Sequence, residues 1–266
     1  MSLVIRLITG TIVCFAIGLL SFKKRLVDIS GFVAGMIVGV GIFTMGGWKL
    51  YVLILTFHLT AGFFTHYKYR EKLKKGVAEF KGGARRWSNV FANGIIPLTF
   101  ATLEYTLGME KYLLAYIGSV SAGLSDTLSN EIGVLNPSPP RLITKLKERV
   151  PPGTPGGVSP LGILVSFLSP LLIGSLALVL NVAKPEYIPI VMASGAAGSI
   201  VDSIVGGSIQ AVYRCAKCGK LTERESHCGE RTILVRGCRK VNNHIVNLIM
   251  SATGAATSIL LWQLLR

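Results

Sequence analysis

The segment "YLLAYIGSVSAGLSDTLSNEIG", residues Tyr112–Gly133, decides the fold class of this chain. Its first half is an apolar run, and its second half carries the carboxylates Asp126 and Glu131. Ionisable groups in or beside a bilayer are costly, and proteins retain them there mostly for function. The segment therefore predicts a membrane helix that leads into a functional site.

The composition of the whole chain supports a membrane protein. The 266 residues have a mean hydropathy of +0.55 and only 15% are charged, whereas about a quarter of a soluble domain is charged. We predict an all-α integral membrane protein, a single polytopic domain over residues 1–266 with a bundle of about eight transmembrane helices. The predicted spans are Leu3–Phe22, Leu26–Met45, Lys49–Thr65, Asn89–Leu107, Lys111–Leu124, Pro160–Asn181, Tyr187–Val212 and His244–Leu265.

The distribution of basic residues predicts the orientation of these spans. With eight spans, 23 of the 28 Lys and Arg residues fall on one side, and basic loops mark the cytoplasmic side of a cell membrane. Both termini are then outside, and the first span is a retained anchor because no small-residue cleavage site follows it. The net charge of +15 reflects this topology and an attraction for anionic lipid or phosphorylated substrates, not for nucleic acid.

Two acidic motifs predict a divalent metal site on the cytoplasmic side. In "SDTLSNEIG", Asp126 and Glu131 do not share a face of a regular helix, so they could share a metal only if the helix bends or ends between them. In "SGAAGSIVDSIVGGS", Gly198, Asp202 and Gly206 share one face, which points Asp202 into the bundle. Carboxylates of this kind suit Mg²⁺ when a substrate phosphate completes its shell. The alternatives are a solvated Glu131 and a hydrogen-bonded Asp202.

The motif "RRWSNVFANG" predicts a phosphate-binding site at a helix start. Asn89 and Asn93 share a helix face, and Arg85 and Arg86 precede the helix. Guanidinium groups, amides and a helix N-terminus together favour phosphate. The alternative is a basic flank of a span with amides that hydrogen-bond between helices.

Two further motifs predict phosphate contacts on the same side. The turn "PPGTPGGVSPLG" is not a Walker A loop, but successive backbone N–H groups in such a turn can cradle a phosphate. At the start of the last span, two Asn residues again lie four apart, so we expect these helices to converge on one cavity. The residues concerned are Gly153, Thr154, Gly156, Gly157, Ser159, Asn243 and Asn247.

The cysteine-rich loop 213–243 predicts a structural zinc site. Its Cys-x2-Cys pair followed by His-Cys has the spacing of a small zinc site, and a cytoplasmic loop disfavours disulfides. Reduced, unliganded thiols are the alternative. Cys215, Cys218 and Cys228 are expected ligands, and either His227 or Cys238 would be the fourth.

Six motifs between Gly82 and Leu248 resemble, in order, those of an integral membrane family that includes the phytyl-phosphate kinase of plant and cyanobacterial vitamin E synthesis. They are "ARRWSNVFANG", "SDTLSNEIG", "PRLI", "GTPGGVSPLG", "GSIVDSIVGGSIQ" and "NNHIVNL". The resemblance implies transfer of the terminal phosphate of a nucleoside triphosphate, CTP in the relatives, to an isoprenyl monophosphate such as phytyl, farnesyl or geranylgeranyl phosphate.

The resemblance also implies roles for the polar residues. Mg²⁺ would be held by Asp126 and Asp202 together with Glu131, while Arg85, Arg86 and Arg141 would neutralise phosphate charge. A phosphomonoester acceptor needs a dedicated base less than an alcohol does, because its second pKa is about 6. A prenol kinase, a cytidylyltransferase and a membrane transporter remain as alternatives, the last with the two aspartates as cation or proton sites.

Overall fold

The apolar runs of the sequence fold as helices, as they must where no water is present to satisfy backbone polar groups. The computed structural model describes residues 2–78 and 83–265. Nine α-helices lie within these ranges: α1 Leu3–Lys23, α2 Ile29–His66, α3 Tyr69–Lys74, α4 Trp87–Leu107, α5 Glu110–Gly133, α6 Pro160–Leu168, α7 Pro170–Val179, α8 Ile188–Ser208 and α9 Asn243–Leu264.

Two small antiparallel sheets correct the prediction of an all-α fold. The first has the order β2-β1-β3 and the second the order β5-β4-β7-β6. Both form from basic loops that are too polar to enter a bilayer, so their backbone groups pair with one another instead. The strands are β1 Arg141–Leu142, β2 Lys145–Arg149, β3 Gly157–Val158, β4 Val212–Cys215, β5 Leu221–Thr222, β6 Ser226–His227 and β7 Glu230–Arg236.

Helix α2 is a hairpin of two arms, 29–46 and 48–66, that reverses at Gly47. Gly47 has φ +71°, a left-handed conformation that glycine adopts at little cost. The end of the second arm returns to the end of α1, where His58 Nε2 lies 3.1 Å from Ser21 Oγ. The two arms correspond to the second and third predicted spans.

Helix α5 is the centre of the bundle and packs against α2, α4, α6, α7, α8 and α9. Every residue from Leu114 to Asp126 is buried. Because its neighbours shield it from lipid, α5 can carry Ser and Gly in place of large apolar residues. This explains why its predicted span, Lys111–Leu124, was short, whereas the helix itself has 24 residues.

Small residues bring α8 and α9 against α5. A Cβ atom added at Gly198 would lie 2.5 Å from the Ala122 Cβ, and one added at Gly254 would lie 2.5 Å from the Gly118 carbonyl oxygen. No larger side chain fits either position without separating the helices. The packing predicted from the Gly198 stripe is therefore present in the structure.

Within the described residues, five helical segments are long and apolar enough to cross a membrane: Leu3–Lys23, Ile29–His66, Pro160–Val179, Pro185–Ser208 and Asn243–Leu264. Helices α4 and α5 have the required length but a lower hydropathy. All eight predicted spans lie mainly on helical segments, while their number as membrane crossings stays a prediction.

The loops gather at two ends of the bundle. At one end, Lys220 Nζ donates to the Gly76 carbonyl at 2.9 Å, and Arg85 pairs with Val27 in a β-bridge. At the opposite end, Lys184 forms a 3.0 Å ion pair with Glu110. We refer to the first, more basic end as the site end.

Replacing Gly198 by Val should force α5 and α8 apart. We expect the free energy of unfolding to fall by about 1–3 kcal/mol, the usual cost of overpacking. Thermal unfolding of the purified protein in detergent measures this change. Gly35→Ala is the matched control, because an added Cβ at Gly35 meets no atom within 4 Å. Identical melting curves for Gly198→Val and the control would contradict the close packing.

Candidate active site

Two carboxyl groups, those of Asp126 and Asp202, meet at the site end between α5 and α8. Asp126 is buried and accepts a 3.1 Å hydrogen bond from Asn130 Nδ2. Its carboxyl group lies within hydrogen-bonding reach of Asp202. The Asp202 Oδ1 atom is enclosed and has no hydrogen-bond partner among the described residues. We call these two residues the carboxylate pair.

The carboxylate pair is chemically suited to a cation. Ionised carboxylates only accept hydrogen bonds, so two of them side by side require a cation or a shared proton between them. The unpartnered Oδ1 atom of Asp202 supplies a free ligand of the hard oxygen type that Mg²⁺ prefers. The helix packing holds the pair together, because Gly198 contacts Ala122 one turn before Asp202, and Ser129 Oγ lies 3.2 Å from Ser199 Oγ.

A polar cavity of about 480 Å³ opens on the Asp202 side of the pair. All five predicted residues of the glycine turn line it, as do Asn243 and Glu223. The turn lies tightly on the end of α8: Gly156 has φ +79°, and a Cβ there would lie 2.2 Å from Gly207 Cα. Glycine is required at Gly156 for both reasons.

Ser159 joins this turn to α6. Its hydroxyl accepts a 3.1 Å hydrogen bond from the Gly162 amide as the N-cap of α6 and donates at 3.0 Å to the Gly133 carbonyl. The positive end of α6 therefore begins at the wall of the polar cavity, where it favours an anion. Asn247 lies one turn further along α9 than Asn243 and does not line the cavity.

The carboxylate of Glu131, a predicted metal ligand, is hydrogen-bonded to other side chains of the protein. Its Oε2 atom accepts a short hydrogen bond from Lys72 Nζ, and its Oε1 atom accepts one of 2.8 Å from the Thr65 hydroxyl. Lys72 is only 1% exposed and also donates to the Phe64 carbonyl at 2.6 Å. Both carboxylate oxygens of Glu131 therefore already have protein partners, although Glu131 also lines the polar cavity.

Two predicted phosphate ligands also lie elsewhere. Arg141 is exposed and donates at 2.8 Å to the Leu146 carbonyl, which closes the β1–β2 hairpin. Arg86 points to solvent and lies 3.8 Å from Asp28. Neither residue lines a described cavity at the carboxylate pair.

An apolar cavity of about 120 Å³ lies on the other side of the pair, between α1, the two arms of α2 and α4. Its charged and amide residues are Arg85, Asn89 and Asn93, which line it with His58. Arg85 lies over the Phe57 ring at 5.9 Å. Asn93 Nδ2 donates to the Asn89 carbonyl at 3.0 Å, so its Oδ1 atom remains available to another group.

Asp126 lines neither described cavity, but residues of both lie near it. Arg85, which lines the apolar cavity, is close enough to act on the charge of Asp126. A Cβ atom added at Gly123, one turn before Asp126, would lie 3.5 Å from Asn93 Oδ1. Asn130 and Asp202, the polar contacts of Asp126, belong to the polar cavity. The carboxylate pair therefore lies near residues of both cavities.

Four residues of the cysteine-rich loop form a second cluster. The ligand atoms of Cys215, Cys218, His227 and Cys228 all lie within 4.8 Å of one another. A hydrogen bond from the Cys218 amide, followed by one from His227, lowers the pKa of the Cys215 thiol to about 6. Cys238 is outside this cluster, in a β-bridge with Gln210.

The structure adds three residues that the sequence did not single out, namely His58, Lys72 and Glu223. His58 was visible only as an imidazole within an apolar span. Lys72 was one of many basic residues in a loop and could not be distinguished from solvated lysines. Glu223 reaches the polar cavity from the cysteine-rich loop, and only the folded sheet reveals that position.

These features define an integral membrane protein with a polar site at one end of its helix bundle. The chain belongs to the family described as Integral membrane protein DUF92, which matches residues 12–255. This match, together with the relatives below, confirms the family resemblance predicted from the motifs.

Three relatives are similar over most of this chain. An uncharacterised membrane protein of Methanocaldococcus jannaschii is 30% identical over 98% of this chain and 97% of its own length. Protein PGR of Arabidopsis thaliana is 31% identical over 96% of each chain. Protein VTE6, chloroplastic, also of Arabidopsis thaliana, is 27% identical over 88% of this chain and 65% of its own length. No solved structure matches the chain.

Replacing Lys72 by Met should leave the Glu131 carboxylate buried without its cation. We expect a loss of about 3–5 kcal/mol in the free energy of unfolding, as for other buried ion pairs that lose one partner. Thermal or denaturant unfolding in detergent measures the loss.

Two further variants make this test specific. The double variant Lys72→Met/Glu131→Leu should recover most of the lost stability, because it removes both charges together. Lys68→Met is the matched control, since the Lys68–Glu71 pair is exposed and should contribute less than about 1 kcal/mol. Equal effects of Lys72→Met and Lys68→Met would show that Glu131 is not a buried charge.

Proposed function

We propose that this protein is a Mg²⁺-dependent kinase that transfers the terminal phosphate of CTP to an isoprenyl monophosphate and forms the isoprenyl diphosphate. The observation that carries the proposal is the carboxylate pair between a polar and an apolar cavity. A prenyl phosphate has an apolar tail and a phosphate head, and a nucleotide is polar throughout, so the two substrates match the two cavities. The membership of the chain in a family that resembles phytyl-phosphate kinase supports the same reaction.

The apolar cavity suits a prenyl tail with its phosphate at the site end. Along the first arm of α2 it extends from Gly31 to Gly39, a distance of about 12 Å at 1.5 Å per residue. Arg85 and Asn89 are at the Gly31 end, and Cys14 and Tyr51 are at the Gly39 end. A phosphate beside Arg85 would accept charge-assisted hydrogen bonds. The prenyl tail would fill the apolar part of the cavity.

The polar cavity suits the nucleotide. The glycine turn offers close backbone approach, Ser159 begins α6 beside it, and Asn243 adds an uncharged donor. Phosphate groups are favoured at such helix starts and turns. Asp202 lies in the same cavity, so donor phosphates bound there would be adjacent to the carboxylate pair.

The proposed reaction is an in-line phosphoryl transfer. An oxygen of the acceptor phosphate forms a bond to the terminal phosphorus of CTP, the bond from that phosphorus to the bridging oxygen breaks, and CDP leaves. Asp126 and Asp202 would hold Mg²⁺, which when bound neutralises charge on the donor phosphates. Arg85 would orient the acceptor phosphate and offset its negative charge. Because the acceptor is already largely ionised near pH 7, the site requires no general base.

For the topology we propose eight crossings, with the site end in the cytoplasm and both termini outside. The five long apolar segments supply six crossings, since α2 is a hairpin, and α4 and α5 supply the other two. The excess of basic residues at the site end favours that orientation. Labelling with a membrane-impermeant thiol reagent tests it: Cys238, an exposed thiol at the site end, should react only in permeabilised cells, and reaction in intact cells would indicate the opposite orientation.

The reaction is tested with purified protein, Mg²⁺ and labelled CTP against a panel of prenyl monophosphates. Label from the γ-phosphate should appear in prenyl diphosphate. Label from the α-phosphate in lipid would instead indicate a cytidylyltransferase, and γ-label on a free prenol would indicate a prenol kinase. Prenyl phosphate movement across sealed vesicles without CTP turnover would indicate a transporter. Each of these three outcomes would overturn the proposal.

Asp126→Asn and Asp202→Asn should each lower turnover by about 100-fold or more. A metal ligand contributes several kcal/mol to the transition state, and each 1.4 kcal/mol is a factor of ten. Both variants should remain folded, because each substitution also removes repulsion within the pair. Size-exclusion profiles and melting curves without Mg²⁺ check the fold. Glu186→Gln, exposed at the opposite end, is the control, and wild-type turnover in either aspartate variant would exclude that residue as a ligand.

Gly35→Leu should discriminate against long prenyl chains. Gly35 lines the apolar cavity midway between its ends, and its Cβ position is free of other atoms. A leucine side chain there should exclude several methylenes of the tail, each contributing about 0.8 kcal/mol. We expect the ratio of kcat/KM for geranylgeranyl phosphate over dimethylallyl phosphate to fall at least tenfold. Val33→Phe, which adds bulk on the exposed face of the same arm, is the control and should leave the ratio unchanged. An unchanged ratio in Gly35→Leu would show that the prenyl tail does not bind beside Gly35.

A further inference from the structure

The β4–β7 unit, residues 212–236, has too small an apolar core to account for its folded structure. Val212, Tyr213 and Cys215 are buried, but the apolar residues of β7 are not: Ile233 is 61% exposed and Val235 is 44% exposed. Units of this size need a disulfide or a metal ion where apolar burial is insufficient. All its cysteines are free thiols, so no disulfide holds the unit.

Two turns of this unit present ligand atoms to the same point. In the first, Cys215 ends β4, and the Gly219 amide donates to the Cys215 carbonyl at 2.9 Å, which leaves Cys218 on the turn. In the second, Cys228 has φ +54° and follows His227 at the end of β6. A left-handed backbone is costly at a non-glycine residue, and here it brings the Cys228 thiol to the same side as the imidazole.

The interatomic distances match a tetrahedral metal site. His227 Nδ1 lies 3.5 Å from Cys218 Sγ and 3.2 Å from Cys228 Sγ. Bonds of about 2.0–2.3 Å from zinc to nitrogen and sulfur place neighbouring ligand atoms about 3.3–3.8 Å apart. Three thiols and one imidazole are ligands that select zinc over Mg²⁺ or Ca²⁺.

We propose that Cys215, Cys218, His227 and Cys228 bind one structural Zn²⁺ that holds the β4–β7 unit against the polar cavity. Four protein ligands leave no open position, so the ion acts in folding and not in phosphoryl transfer. The site is separate from the carboxylate pair and does not depend on the proposed kinase reaction. Cys238, which the sequence spacing left as an alternative ligand, is not part of it.

The β4–β7 unit lies beside the polar cavity, so an ion that orders the unit would also order part of the cavity wall. Glu223 lies in the chain between the two pairs of ligands and lines the polar cavity, close enough to act on the charge of Asp202. At the end of β7 in the same sheet, Arg236 donates to the Pro155 and Gly206 carbonyls at 2.9 and 3.0 Å. Zinc would therefore fix the position of Glu223, an acidic side chain that lines the cavity.

The first test is the metal content of the full-length protein, purified in detergent under reducing conditions without chelator. Elemental analysis should give about one zinc per chain. Cys218→Ser and Cys228→Ser should each lose most of this zinc, whereas Cys238→Ser and Cys14→Ser, the matched controls, should retain it. Wild-type protein without zinc, or loss of zinc in Cys238→Ser, would overturn the proposal.

The second test uses the wild-type chain and so does not depend on the folding of a variant. Replacement of zinc by Co²⁺ should produce the visible absorption of a tetrahedral cobalt–thiolate centre. Chelation should expose Lys217, Lys220 and Arg224 to trypsin, and added Zn²⁺ should restore protection. A thiol titration that finds a disulfide among these cysteines, or unchanged cleavage after chelation, would overturn the proposal. Neither test measures phosphoryl transfer. Failure of the zinc proposal can therefore be distinguished from failure of the proposed function.

Discussion

The structure depends on two carboxyl groups that lie side by side within a bundle of apolar helices. Burial of a charge is expensive unless the charge is paired, and the Oδ1 atom of Asp202 has no protein partner among the described residues. On the proposed function, a divalent cation and the phosphates it binds would complete this arrangement. Much of the surrounding sequence serves to hold the pair in place: Gly198 lets α8 approach α5, and Gly156 lets the glycine turn lie on the end of α8.

The same constraint accounts for the composition of α5. A helix that contacts lipid must be apolar on its outer face, but a helix enclosed by other helices may be rich in small and polar residues. Residues 114–126 of α5 are all buried, so its serines pack against other helices instead of facing lipid. The chain thereby places polar groups at the centre of the bundle, with the apolar cavity and the polar cavity close to them.

The sequence predicted the helices and the convergence of motifs because both follow from local pattern. Apolar length marks membrane helices, and spacings of four residues mark helix faces, which together brought Asp126, Asp202 and the glycine turn to one end. Three features could not be predicted in this way. The partner of Glu131 is Lys72, 59 residues away, and nothing local distinguishes that lysine. Glu223 reaches the cavity only after the β4–β7 unit has folded, and Arg141 is held by a hairpin that forms from a polar loop.

The most direct measurement is a structure of the protein with Mn²⁺ and a non-hydrolysable CTP analogue, with anomalous scattering used to locate the manganese. The account predicts a manganese peak within coordination distance of the carboxylates of both Asp126 and Asp202, with the nucleotide phosphates on the side of the glycine turn. Manganese bound to Glu131 instead, or nucleotide bound with no metal at the pair, would contradict it.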